Sequence, residues 1–192
     1  MSQINVIKDP NGIKGLAVVE PTIHGDARGY FVETYNKNDM SEAGLLADFV
    51  QDNQSKSCQG VLRGLHFQKM YPQCKLVRVL SGSVYDVAVD LRPQSETYGK
   101  YYGIVISSDN FKQFIIPEGF AHGFLTLSSE AILAFKCTDF YHPNDDGGLV
   151  WNDTDVAVDW PFEQIGGIEN VILSEKDKLN PALKEIEAGR IA

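Results

Sequence analysis

The feature that most constrains this chain is a regular succession of short apolar runs cut by turn clusters. Asp9-Pro10-Asn11-Gly12, Gly25-Asp26, Ser81-Gly82-Ser83, Ser108-Asp109-Asn110 and Asn144-Asp145-Asp146-Gly147-Gly148 punctuate segments rich in β-branched and aromatic residues. Val84 to Leu91 alternates, with Tyr85, Val87, Val89 and Leu91 on one face and Asp86 and Asp90 on the other. Lys75, Val77 and Val79 share a face in the same way, and Phe111–Ile116, Ala131–Thr138 and Leu149–Trp151 read as further strands. Strands at this spacing predict an all-β sandwich or barrel of antiparallel strands. Two helical stretches interrupt it. Asn38–Val50 carries Met40, Ala43, Leu46, Ala47 and Val50 at helical spacing, and Ser174-Glu175-Lys176-Asp177 reads as a capped helix start. Asn180-Pro181 suits the opening of a last short helix.

No repeat or Pro/Gly/Ser linker divides the chain, so residues 1–192 read as a single domain. With 17 Lys and Arg against 26 Asp and Glu the net charge is −9, which argues against a nucleic-acid binder while leaving room for one small anion in a locally basic pocket. No apolar run is long enough to cross a bilayer, and the start MSQINVIKDPNG lacks a signal-peptide pattern. Cys58, Cys74 and Cys137 form an odd set that reads as free thiols, and a cytoplasmic protein is expected.

Val61-Leu62-Arg63-Gly64-Leu65-His66-Phe67-Gln68 places an arginine and a histidine in an apolar strand. Imidazole is the natural general base near neutral pH and guanidinium suits phosphate. A core histidine and a surface arginine remain the alternative. Arg63 and His66 are three apart, so an ideal strand points them to opposite faces. One pocket holding both requires a bulge or bend, which Gly64 allows. Lys75 on an apolar face fits a pocket that meets an anion, or an edge strand guarded by charge. His122 lies in Phe120-Ala121-His122-Gly123-Phe124, while His24 and His142 read as surface residues. No two histidines have ligand spacing, so no metal is expected, and neither a nucleophile elbow nor a Gly-rich phosphate loop is present.

In order along the chain stand Asp26-Ala27-Arg28-Gly29-Tyr30-Phe31, Gln51-Asp52-Asn53, the Arg63–His66 segment, Lys75-Leu76-Val77-Arg78-Val79, Gly82-Ser83-Val84-Tyr85-Asp86-Val87, Asp90-Leu91-Arg92, the His122 segment, Trp151-Asn152-Asp153 and Leu173-Ser174-Glu175-Lys176-Asp177. Together they resemble the dTDP-4-dehydrorhamnose 3,5-epimerase family of cupin-type sugar-nucleotide epimerases, over about Ile13 to Pro181.

The resemblance implies a cupin-like jelly-roll barrel acting as a homodimer without cofactor or metal. Its substrate would be a dTDP-4-keto-6-deoxyhexose, epimerised at C3, at C5 or at both on the route to deoxysugars of the rhamnose type. By the resemblance, His66 is the base, Asp177 its orienting carboxylate and Lys75 the cation beside the keto oxygen. Arg63 would contact diphosphate or sugar. Arg28, Glu33, Gln51, Asn53, His122, Asp146 and Lys176 match further substrate contacts, Arg28 and Glu33 reaching the partner's site. One departure stands out. The family's acid is a tyrosine thirteen residues beyond the histidine of the His122 segment, and here that position is Phe135. Phe135, Cys137, Asp139 and Tyr141 alternate onto one face, so Tyr141 or a water is the nearest replacement. The departure implies an epimerase restricted to one carbon, a different donor, or a binder of the sugar nucleotide with weakened chemistry.

Overall fold

A computed structural model describes residues 3–45 and 47–186. Among them the strands are, in chain order, β1 (Ile4–Lys8), β2 (Ala17–Pro21), β3 (Ile23–Asp26), β4 (Gly29–Val32), β5 (Gln51–Cys58), β6 (Leu62–Gln68), β7 (Lys75–Ser81), β8 (Ser83–Asp90), β9 (Tyr101–Ser107), β10 (Gln113–Ile116), β11 (Phe120–Thr126), β12 (Glu130–Cys137) and β13 (Asp146–Gly148). They form a six-stranded sheet ordered β1-β2-β10-β7-β12-β5 and a five-stranded sheet ordered β13-β6-β11-β8-β9, while β3 and β4 make a separate hairpin. All pairings between these strands are antiparallel. The all-β expectation holds.

The alternation of each strand explains how the sheets face one another. Val77 and Val79 of β7 and Leu133 of β12 meet Val84 and Ala88 of β8 and Phe124 of β11 in one buried cluster between the sheets. The opposite parity of β8, Val87 and Val89, packs outward against Leu149, Trp160 and Ile165 in a second cluster. β8 is thus covered on both faces, and Asp86 and Asp90, which share the parity of Val84 and Ala88, are fully buried. Burial of each carboxylate is offset by bonds: Asp86 to His122, Asp90 to Arg92, Ser95 and Thr97.

Three expected elements depart from the sequence reading by more than a residue or two at an end. The helix expected over 38–50 is only α1 (Lys37–Glu42), opened by Asn36, whose side chain accepts from the Asn38 and Asp39 amides. Gly44, at φ 71°, ends it, and Leu45 returns its amide to the Met40 carbonyl. Leu46 of the expected stripe lies outside the described residues. Leu149–Trp151 is not a strand. The pairing falls just before it in β13, where Asp146-Gly147-Gly148 zips along Gln68-Phe67-His66. Asn180-Pro181 precedes only a 3-10 turn, Leu183–Glu185. The capped start at Ser174 stands: α2 (Glu175–Lys178) has the Ser174 hydroxyl accepting from the Asp177 amide. No helix among the described residues is long and apolar enough to cross a membrane.

Candidate active site

Strand β6 brings the two residues that an ideal strand would separate into one cavity. Gly64 has φ 111°, and the register between β6 and β11 shifts between the His122–His66 and Phe124–Arg63 pairs. A side chain at Gly64 would collide with backbone, since a Cβ there meets the His122 oxygen at 2.6 Å. This irregularity turns Arg63 and His66 to the same side, and both line a cavity of about 590 Å³.

The C-terminal segment closes the cavity. The Leu62 amide donates to the Ile172 carbonyl at 3.0 Å and the Ile172 amide to Gly60 at 2.9 Å, so residues 172–177 run beside β6. The turn into α2 then sets Asp177 against His66. The imidazole Nε2 lies 2.5 Å from Asp177 Oδ1, with the carboxylate 4% exposed and the imidazole 33% exposed. Burial works against ionisation of Asp177. Bonds from His66, from Ser174 and from the Gly64 amide, with the charge on His66, still hold its carboxyl below the usual carboxylate range. An ionised Asp177 can only accept, so Nε2 carries the proton and Nδ1 is left as the basic nitrogen.

A second histidine–carboxylate pair lies beside the first. His122 is the cross-strand partner of His66, and its Nε2 lies 2.9 and 3.1 Å from the two oxygens of Asp86. Both partners are buried. Asp86 was not among the sequence-predicted site residues. The signal for it was a carboxylate flanked on its own face by Val84 and Ala88, an apolar setting that demands a partner.

The facing wall comes from the six-stranded sheet: Asn53, Gln54 and Ser55 of β5, Lys75 of β7 and Phe135 of β12. Burial pushes the Lys75 ammonium pKa down, while Cys137, Asp86, Asp146 and Cys74 pull it the other way. At the exposed rim, Arg63 Nε donates to Ser57 Oγ at 3.0 Å. Lys176 also lines the cavity and pairs with Asp146.

The other candidate residues stand further out. Gln51 donates to Asn53 Oδ1 at 3.0 Å and accepts from the Tyr141 amide at 3.0 Å. Tyr141 does not take the place of a donor in the cavity. Strand β12 ends at Cys137, the chain bends away, and the exposed Tyr141 hydroxyl donates to Asp146 Oδ2 at 2.9 Å. Arg28 and Glu33 are not brought to the cavity within this chain. Arg28, 90% exposed, is clasped by Asp26 on the β3–β4 hairpin, and Glu33 accepts from Asn36. His24 is exposed, and His142 is half-buried and stacked on Tyr71. Among the described residues, no group of three or more His, Cys, Asp or Glu is placed to hold a metal ion.

This architecture has close relatives. A protein from Methanothermobacter thermautotrophicus named dTDP-4-dehydrorhamnose 3,5-epimerase is 50% identical over 185 residues, covering 96% of this chain and 97% of the relative. Its namesake from Escherichia coli K12 is 47% identical, covering 95% and 96%. The crystal structure of dTDP-6-deoxy-D-glucose-3,5-epimerase from Legionella pneumophila, in complex with dTDP-4-keto-L-rhamnose, superposes with a TM-score of 0.91 at 46% identity, covering 98% of this chain and 97% of that one. The family model described as dTDP-4-dehydrorhamnose 3,5-epimerase matches residues 10–185. By sequence and by fold, the chain belongs to the dTDP-4-dehydrorhamnose 3,5-epimerase family of cupin-like isomerases.

Proposed function

We propose that the His66–Asp177 dyad is the base of this epimerase and that its substrate is a dTDP-4-keto-6-deoxyhexose. The 4-keto group acidifies the hydrogens on C3 and C5. A base removes one, an enolate forms, and a proton returns on the opposite face. Nδ1 of His66 takes the hydrogen, and Asp177 keeps the ring in the right tautomer and stabilises the imidazolium. Lys75, which lines the same cavity, is the cation in this reading that stabilises the charge developing on the keto oxygen. Arg63 and Lys176 supply positive charge for the diphosphate in an otherwise acidic protein, with Asn53, Gln51, His122, Asp146 and Tyr141 as further substrate contacts. The observation that carries the reading is the 2.5 Å contact between His66 and Asp177 in the wall of the cavity.

The working unit is a homodimer in which Arg28 and Glu33 reach the partner's cavity. The support is the β3–β4 hairpin, a sheet of its own, with Tyr30 62% and Phe31 69% exposed. The reaction draws on no cofactor in this reading. A cytoplasmic setting agrees with three unpaired cysteines.

A second reading rests on Phe135, whose ring reaches the cavity with no proton to give. It is an epimerase that completes inversion at one carbon only. Incubation with dTDP-4-keto-6-deoxyglucose in deuterated water separates the two. Label with inverted configuration at both C3 and C5 supports the double epimerase, inversion at one carbon the restricted enzyme, and label at neither carbon contradicts both.

A further inference from the structure

Inversion needs a proton removed on one face of the sugar and another delivered to the opposite face. His66 sits on β6 of the five-stranded sheet with Asp177 against it, so the acid must stand on the wall opposite. That wall is the six-stranded sheet. Of the side chains it places in the cavity, Asn53, Gln54, Ser55, Lys75 and Phe135, only Lys75 is titratable. The other basic side chains of the cavity are on the wrong side or engaged. His122 is the strand neighbour of His66 and is held by Asp86. Arg63 belongs to the same strand as His66, and Lys176 is paired with Asp146.

We propose that Lys75 is the acid of the inversion, its ammonium delivering the proton to the ring face opposite His66. The proposal rests on the reading of His66 as base and deepens it: the cation beside the enolate oxygen is also the proton source.

The step balances. The C–H bond breaks towards His66 Nδ1, and its electron pair enters the enolate. The enolate carbon then takes a proton from the Lys75 ammonium on the other face. That N–H electron pair stays on the amine, and the carbonyl re-forms. Imidazolium loses a proton to water and the amine gains one, which resets the site without oxidant or reductant.

The surroundings suit an acid. Lys75 is the cross-strand partner of Cys137, and Phe135 lies one step along β12 on the same face, beside Val77. An apolar neighbour keeps the ammonium partly desolvated, which strengthens it as an acid. The groups acting on it are Cys137 of β12, Asp86 of β8, Asp146 of β13 and Cys74 next to it in the chain. Across the cavity stand His66, His122 and Asp177.

The test follows two rates in deuterated water with dTDP-4-keto-6-deoxyglucose: label entering sugar of retained configuration, and formation of inverted product. In Lys75→Met, inversion should fall by about 10²–10⁴-fold, while exchange falls at least roughly tenfold less, because His66 still removes and returns hydrogen on its own face. If both rates fall by the same factor, or inversion persists, the proposal is overturned. Adding Phe135→Tyr to Lys75→Met places a phenol on the same wall. Recovery of inversion supports the geometry and shows that the variant folds, whereas exchange without recovery overturns it. Undiminished exchange by His66→Ala would instead overturn the base assignment, whatever the Lys75 variants do.

Discussion

His66 and Asp177 are separated by 111 positions in the chain and meet at 2.5 Å in the fold. Two local devices create that meeting. The bulge at Gly64 turns the imidazole inward, and the Ser174 cap fixes the first turn that carries the carboxylate.

Asp177→Asn tests the orienting role. Its loss of turnover should be smaller than the about 10²–10⁴-fold cost of removing a general base, because the imidazole remains. Equal losses would show that the carboxylate does more than orient. The same variant has a signature in stability. The Asp177 carboxyl titrates below its ordinary value of 3.8 in the folded protein, so the stability it contributes is full above that pH and is lost as pH falls through the lower folded value. Urea unfolding should therefore show wild type ahead of Asp177→Asn at neutral pH, the gap shrinking as pH drops below about 4.

Gly64→Ala tests the bulge. A Cβ there would lie 2.6 Å from the His122 oxygen and 2.7 Å from the Gly123 Cα, in a backbone at φ 111°. Overpacking and the unfavourable φ together should cost about 2–4 kcal/mol in denaturant unfolding, with activity falling further than stability requires. A stable, fully active variant would show that His66 does not depend on the bulge.

Reading of the site from sequence succeeded where the signal was local. The Ser174 cap, the alternation of β7 and β8 and the tension between Arg63 and His66 are all written in neighbouring residues. It failed where tertiary context decided. The stripe from Met40 to Val50 has helical spacing, yet Gly44 stops α1 and residues 47–50 belong to no helix before β5 begins at Gln51. Tyr141 shares strand parity with Phe135, but β12 ends at Cys137 and parity then loses its meaning. Asp86 was visible only as the other face of an alternation, and nothing local said that both faces of β8 are buried.

Phe135→Tyr should raise turnover, or extend it to the second carbon, by adding a phenol to the wall that faces His66. Product analysis at C3 and C5 checks this. No change in rate or product would show that the existing donor suffices.

Subunit complementation tests the dimer. Arg28→Glu and His66→Ala should each be inactive alone. Mixed and allowed to exchange, they should recover roughly a quarter of wild-type activity, since half of statistical pairs are mixed and each holds one intact site. No recovery despite demonstrated exchange would place Arg28 outside the partner's cavity.

The most direct measurement of the central claim is solvent deuterium entry into dTDP-4-keto-6-deoxyglucose, compared between wild type and His66→Ala with dTDP affinity measured in parallel. Wild type should label the sugar, while His66→Ala should lose label by about 10²-fold or more and keep dTDP affinity within a few-fold. Label entering at the wild-type rate in His66→Ala would contradict that claim.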